Sequence, residues 1–259
     1  MSGLLLEDRS GDVVTLTLNR PEKLNAMTKP LWMALGQVVS RVSKDNSVRC
    51  LILRGSGEKS FSPGNDIAEF ASERSNKEQA IAYGKVMHQT VQALSDCPHP
   101  IIAQIHGICV GGGMEIASLA DIRICGKSSR FGAPIKNLGL VMAYDEMAPL
   151  ARLVGPSKAL EILLEGRIFG AEEALQMGFV SRVVDDDCVA AESAAAAERV
   201  ATGAPLVARW HKKFARRLLN SSSLTASERD ECFDCFDTQD FRIGVEAFLS
   251  KQQAKFVGR

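Results

Sequence analysis

Apolar and polar positions alternate with period two over Asp12 to Asn19, DVVTLTLN, with Val14, Leu16 and Leu18 on one face and Val13, Thr15 and Thr17 on the other. That spacing predicts a strand, which the NRPEK turn stops. Thr28 is placed to cap a helix in which Leu31, Leu35, Val38, Val39 and Val42 recur at helical spacing up to the polar break KDNS. The run VRCLIL, residues 48–53, is apolar without alternation and is bounded by GSGEK, as a strand buried on both faces would be. A loop from Gly55 to Asp66, a helix from about Lys77 to Leu94 and a strand from Pro100 to His106 repeat the pattern. Strand, helix, strand in this order predicts an α/β fold with a parallel sheet.

After the glycines at 111 to 113, GMEIASLAD reads as a short buried helix and IRIC as a brief strand. From Ser157 onward helical patterns dominate, interrupted only by the small strand FVSRVV, and the alanine-rich stretch in 187–203 predicts a tightly packing helix face. Residues 1–200 are expected to form the α/β core, and 201–259 a helical region coupled to it by short turns, serving as a lid or assembly surface.

A chain of 259 residues with 46% hydrophobic and 24% charged residues has the composition of one large globular unit. Its 31 Lys+Arg balance 31 Asp+Glu, so no net field favours nucleic acid or an anionic membrane surface. No stretch reaches the ~18 apolar residues of a membrane span, and the start MSGLLLEDRSGD lacks a signal-peptide apolar region, so a cytoplasmic location is expected. Seven scattered cysteines read as reduced thiols. The pair Cys232 and Cys235 has no second pair to complete a metal site and is expected to pack in the core of a helix, and no metal is expected.

Two glycine-bearing segments carry candidate chemistry, GSGEKSFSPGNDI at 55–67 and HGICVGGGMEIASLAD at 106–121. Glycine at 64 and at 111 to 113 permits positive φ and close backbone approach to a ligand, and two N–H groups converging on one oxygen would make an oxyanion hole. Ile116 and Asp121 stand where a dinucleotide fingerprint and a Walker loop would need glycine. No G-x-S-x-G elbow or H-E-x-x-H helix is present. Spacing alone leaves two readings, a ligand cradle and a set of tight turns.

NRPEKLNAM at 19–27, KSFSPGNDI at 59–67 and HGICVGGGMEIASLADIRI at 106–124 resemble the three signature regions of the crotonase, or enoyl-CoA hydratase/isomerase, superfamily. The likeness continues through FGAPIKNLGL, LLEGRIFGAEEALQMGFVSRVV and VEAFLSKQQAKFVGR. It implies a ββα spiral core with a carboxyl-terminal helical region, and an enzyme acting on acyl-CoA thioesters. Coenzyme A would be part of the substrate, with no prosthetic group bound.

By this resemblance the backbone N–H groups of Asn65 and Gly112 hold the thioester oxygen, and Glu115 falls at the first catalytic glutamate. The CoA site would take in Leu24, Asn25 and Ala26 at its adenine end and Pro63, Gly64, Asn65, Asp66, Ile67, Gly111 and Gly112 near the thioester. Phe248 and Lys251 resemble tail residues that reach a neighbour's CoA in a homotrimer or dimer of trimers. Asp66 is expected mainly to order its loop through Asx-type hydrogen bonds, and His106 to be structural.

The chain departs from the hydratase pattern at Ile135, which stands where those enzymes carry a second glutamate. Asp145 and Glu146 are candidates for that role, and equally for the acidic first turn of a helix. Hydration, double-bond isomerisation, decarboxylation and thioester hydrolysis all remain compatible with the motifs, as does a CoA-ester binder without activity.

Overall fold

The computed structural model describes residues 3–259. β1 (Leu5–Ser10) and β2 (Val13–Leu18) form a hairpin, and α1 (Lys29–Val42) follows with Thr28 as its cap. Three units of similar plan come next. In the first, β3 (Cys50–Gly55) leads to β4 (Ser60–Ser62), then to α2 (Phe70–Glu73) and α3 (Lys77–Asp96). In the second, β5 (Ile101–Ile105) leads to β6 (Ile108–Val110) and α4 (Gly112–Ser118). In the third, β7 (Ile122–Gly126) leads to β8 (Arg130–Gly132), α5 (Tyr144–Val154) and α6 (Pro156–Glu165).

The long strand of each unit enters a six-stranded sheet, order β1-β2-β3-β5-β7-β10, and the short one enters a second sheet, order β4-β6-β8-β9. Here β9 is Phe169–Gly170 and β10 is Arg182–Val184, separated by α7 (Ala171–Gln176). Two strands and a helix per unit, wound around two sheets, are the ββα spiral the resemblance implied. The parallel expectation holds for the sheet interiors and fails at two edges, where β1 pairs antiparallel to β2 and β9 antiparallel to β8. Only Gly11 and Asp12 join β1 to β2, too few residues for the crossover that a parallel pair needs, whereas β9 comes back to β8 from the end of α6.

Burial on both faces explains the run at 48–53. Leu51 and Leu53 point into the main core with Leu31, Leu35, Tyr83 and Val91, while Cys50 and Ile52 meet Ala196 and Ala197 on the other side. Those alanines belong to α8 (Val189–Ala201), whose small side chains let the helix lie close to the sheet, as the alanine-rich pattern predicts. α9 (Pro205–Arg217) is fastened to the core by Lys212, whose buried Nζ lies 2.6 Å from Asp121 Oδ2 and donates to the His99 carbonyl at 2.6 Å. α10 (Ala226–Asp230) and α11 (Gln239–Ser250) complete the chain.

Cys232 and Cys235 are not core residues. They sit on a 3₁₀ segment, Glu231–Asp237, with Cys232 exposed and Cys235 half-buried. The segment lies outside both apolar clusters, so helical spacing there marks no buried face. Among the described residues no helix is long and apolar enough to cross a membrane, and no cluster of His, Cys, Asp or Glu is suited to a metal ion.

Candidate active site

The site is assembled where β4 and β6 run out side by side. Beyond Ser62 the chain turns through Pro63, Gly64 and Asn65, and a parallel bridge joins Met27 to Asn65. Met27 N–H donates to the Gly64 carbonyl and Asp66 N–H donates to the Met27 carbonyl, each at 2.8 Å. In this register the bridging residue's own N–H points away from its partner strand. Asn65 N–H is therefore left free, and it donates to no group among the described residues.

The second donor arises at the start of α4. Gly111, at φ 53°, turns the chain from β6 into the helix, and Gly112 becomes its first residue, whose N–H lies ahead of the intrahelical ladder. Gly112 N–H likewise donates to no group among the described residues. A Cβ on Gly64 would lie 2.7 Å from Gly112 N, and one on Gly112 would lie 3.6 Å from Asn65 N. The two turns thus touch backbone to backbone, which only glycine allows. Both N–H groups border a cavity of about 460 Å³ walled by Ala26, Pro63 to Ile67, Phe70, Val110 to Gly112, Pro134, Ile135, Leu138 and Leu140.

Asp66 orders the loop, as its Asx reading anticipates. Its Oδ1 accepts from Ala68 N–H at 3.1 Å, and its Oδ2 accepts from Arg20 Nη1 at 3.0 Å. Arg20 also donates to the Ala26 carbonyl, tying the first motif to the second. Of the residues expected at the adenine end, Ala26 lines the cavity, but Leu24 and Asn25 do not. Both adopt left-handed backbone conformations, and the Asn25 side chain turns inward to donate to the Ser56 and Ser60 carbonyls at 3.0 and 2.8 Å. Lys23, which the motif reading passed over, borders the cavity instead. Phe248 and Lys251 lie at the end of α11, outside this cavity, with Phe248 almost wholly exposed.

One turn beyond Gly112, Glu115 is buried, and its Oε1 has no hydrogen-bond partner. It is not among the residues that line the cavity. Burial pushes its carboxyl well above the ordinary carboxylate range, the Glu146 carboxylate adds to the shift, and Arg74 opposes it. Arg74 stacks over Phe70 and Tyr83, with ring centroids 4.6 and 5.0 Å from its guanidinium carbon.

The two acids of α5 are placed differently. Glu146 is largely enclosed, accepts from Ala143 N–H at 3.1 Å as a helix-start acid does, and puts Oε1 3.6 Å from His88 Nε2. Asp145 points to solvent, 3.8 Å from His88 Nδ1. His88 had no sequence signal because its partners come from a helix 57 residues further on. Ile135 faces the cavity from the 3₁₀ segment Pro134–Leu138, so the position of the absent glutamate is part of the wall.

The wound ββα units and the glycine-built pocket between two short strands place the chain in the crotonase class of folds. It belongs to the enoyl-CoA hydratase/isomerase family, which it matches over residues 8–259. It is 32% identical to the crotonyl-CoA hydratase of Syntrophomonas wolfei subsp. wolfei, over 98% of both chains. It is 29% identical to the 1,2-epoxyphenylacetyl-CoA isomerase of Escherichia coli over the full length of each. The crystal structure of an enoyl-CoA hydratase/carnithine racemase from Magnetospirillum magneticum superposes with a TM-score of 0.97 at 46% identity, covering 99% of this chain and 96% of the other. The chain is therefore an acyl-CoA enzyme of the hydratase/isomerase type.

Proposed function

We propose that the protein moves a proton at the carbon next to an enoyl-CoA carbonyl, with Asn65 N–H and Gly112 N–H holding the thioester oxygen and Glu115 as acid/base. Adding to, or removing a proton from, that carbon places negative charge on the thioester oxygen. Donors fixed in advance stabilise such an enolate by a few kcal/mol, on the order of 10²–10³ in rate for one donor. The observation that carries this reading is the buried, unpartnered Glu115 carboxyl one turn behind two adjacent free N–H groups. Its elevated proton affinity suits a group that must take and return a proton near neutral pH.

Hydration also needs a group to activate water at the β-carbon. Glu146 is the candidate because it acts on Glu115 through space and is shielded from solvent, whereas Asp145 is not. Ile135 in the cavity wall favours a second reading, one-base isomerisation between 3-enoyl and 2-enoyl thioesters.

The test is turnover of crotonyl-CoA against a 3-enoyl-CoA on the wild type and on Glu115→Gln. The variant should bind CoA as the wild type does and lose about 10²–10⁴ in kcat on the better substrate. Unchanged kcat would remove Glu115 from the mechanism. Comparable loss in Glu146→Gln on crotonyl-CoA would assign it the second role, and no loss would leave it as a helix cap.

A further inference from the structure

We infer that Trp32 is the positioning residue for the oxyanion hole: its indole spans the gap between the two donors and fixes their spacing. The inference rests on the reading of Asn65 and Gly112 as the thioester-oxygen donors.

Trp32 lies on α1, far from either glycine segment in sequence, and is wholly buried. A buried indole N–H needs an acceptor, and here Nε1 donates to Asn65 Oδ1 at 2.7 Å. The other end of the same amide, Nδ2, lies 3.8 Å from Met87 Sδ. The Asn65 side chain is thus clasped on both sides, and its backbone, which carries the free N–H, can pivot little. On the far side of the gap, Trp32 Cζ2 lies 3.4 Å from where a Cβ on Gly112 would stand. One rigid ring therefore bonds the residue carrying the first donor and packs against the residue carrying the second.

The backbone that carries the ring is itself anchored. Thr90 Oγ1, on α3, donates to the Trp32 carbonyl at 2.7 Å. Trp32 N–H donates to the Thr28 carbonyl at 2.9 Å. A Cβ on Gly36 would fall 2.7 Å from Thr90 Oγ1, so the two helices approach closely at this point. The Asn65 amide supplies the acceptor on which this arrangement depends. Asn65 thereby has two roles, its N–H toward the cavity and its side chain toward Trp32.

The consequence is a coupling between residues 32 and 65 that a merely structural contact would not transmit to the reaction. Replacing Trp32 by Phe keeps a ring against Gly112 but leaves Asn65 Oδ1, in a part-buried site, without its donor. The Asn65 peptide would then relax toward another partner, and the two N–H groups would no longer meet at one oxygen.

Acetoacetyl-CoA tests this directly, because its acidic α-carbon ionises to an enolate with its own ultraviolet band. The wild type should lower the apparent pKa of the bound ligand, and Trp32→Phe should reverse at least half of that shift and lower kcat about tenfold or more, with CoA affinity unchanged. Asn65→Ala should do the same, and Trp32→Phe in the Asn65→Ala background should add nothing further. If Trp32→Phe does not fold, Asn65→Ala alone carries the test through the enolate band. Full enolate stabilisation in the folded single variants, or additive losses in the double variant, would overturn the role of Trp32. Absence of any enolate shift in the wild type would instead overturn the oxyanion-hole reading.

Discussion

The central residue is Glu115, because its environment fixes both what it can do and what it costs. Its carboxyl is raised by burial first and by Glu146 second. A carboxyl raised in the folded state contributes stability that is fully present below its unfolded value of about 4.3 and is lost as pH rises through the folded value. Glutamine carries no such penalty. Thermal melts of wild type and Glu115→Gln should therefore nearly coincide at pH 4 and separate as pH rises, the variant becoming the more stable. A constant difference across that range would mean that Glu115 ionises as an ordinary surface acid. Of the candidate residues, those whose role depends on backbone were legible in the sequence, since Gly64 and Gly112 mark a close approach that a Cβ would crowd and Gly111 marks a turn at positive φ. Trp32 and His88 were not, because an indole N–H or an imidazole finds its partner only when distant segments meet.

At the scale of elements, the apolar pattern marked the long strands and helices well, since α1, α3 and β2 each bury one face over several turns or alternations, and β3 and β5 are largely apolar runs buried on both faces. It missed β4, β6 and β8, which are three residues each and too short to show a period. It also missed β1, whose LEDRS face is exposed at a sheet edge. Those short strands are the ones that carry the site. Beneath α9, His99 is buried with Nε2 3.1 Å from the Val42 carbonyl. Its pKa is lowered to about 4, by burial first and by Arg209 next, with Lys212 acting the same way. A depressed histidine contributes stability present above the ordinary imidazole value near 6.5 and lost as pH falls toward the folded value. Denaturant midpoints should fall between pH 6.5 and 4.5, and less so in a folded His99→Gln variant. Equal acid sensitivity in both would remove His99 as the cause.

For the whole molecule, several large apolar side chains stand exposed in two groups. One patch comprises Leu138, Val141 and Tyr144 with Leu160 and Leu164 of the neighbouring α6, Val141 and Tyr144 being 90% and 94% exposed. The other comprises Phe233, Phe236 and Phe241, tilted ring against ring with centroids 6.5 and 4.7 Å apart, and Phe248 and Leu249 on α11. Exposed apolar side chains gathered in this way are what contact sites offer. A ring of three requires a heterologous contact, in which two different surfaces of one chain meet, and a lone two-fold dimer would need only one. Two separate patches fit the ring, so we propose a homotrimer or a dimer of trimers, with residues 201–259 contributing the second surface. Light scattering at micromolar concentration should give a multiple of three times the 28.0 kDa chain mass. Tyr144→Glu and Leu249→Glu, each altering one patch, should both reduce the mass, since either surface alone cannot close the ring. Phe248→Glu should also weaken CoA binding if Phe248 and Lys251 reach a neighbour's ligand. A monomeric wild type would rule out the assembly, and a dimer that persists in the Tyr144→Glu variant would replace the ring with a two-fold contact.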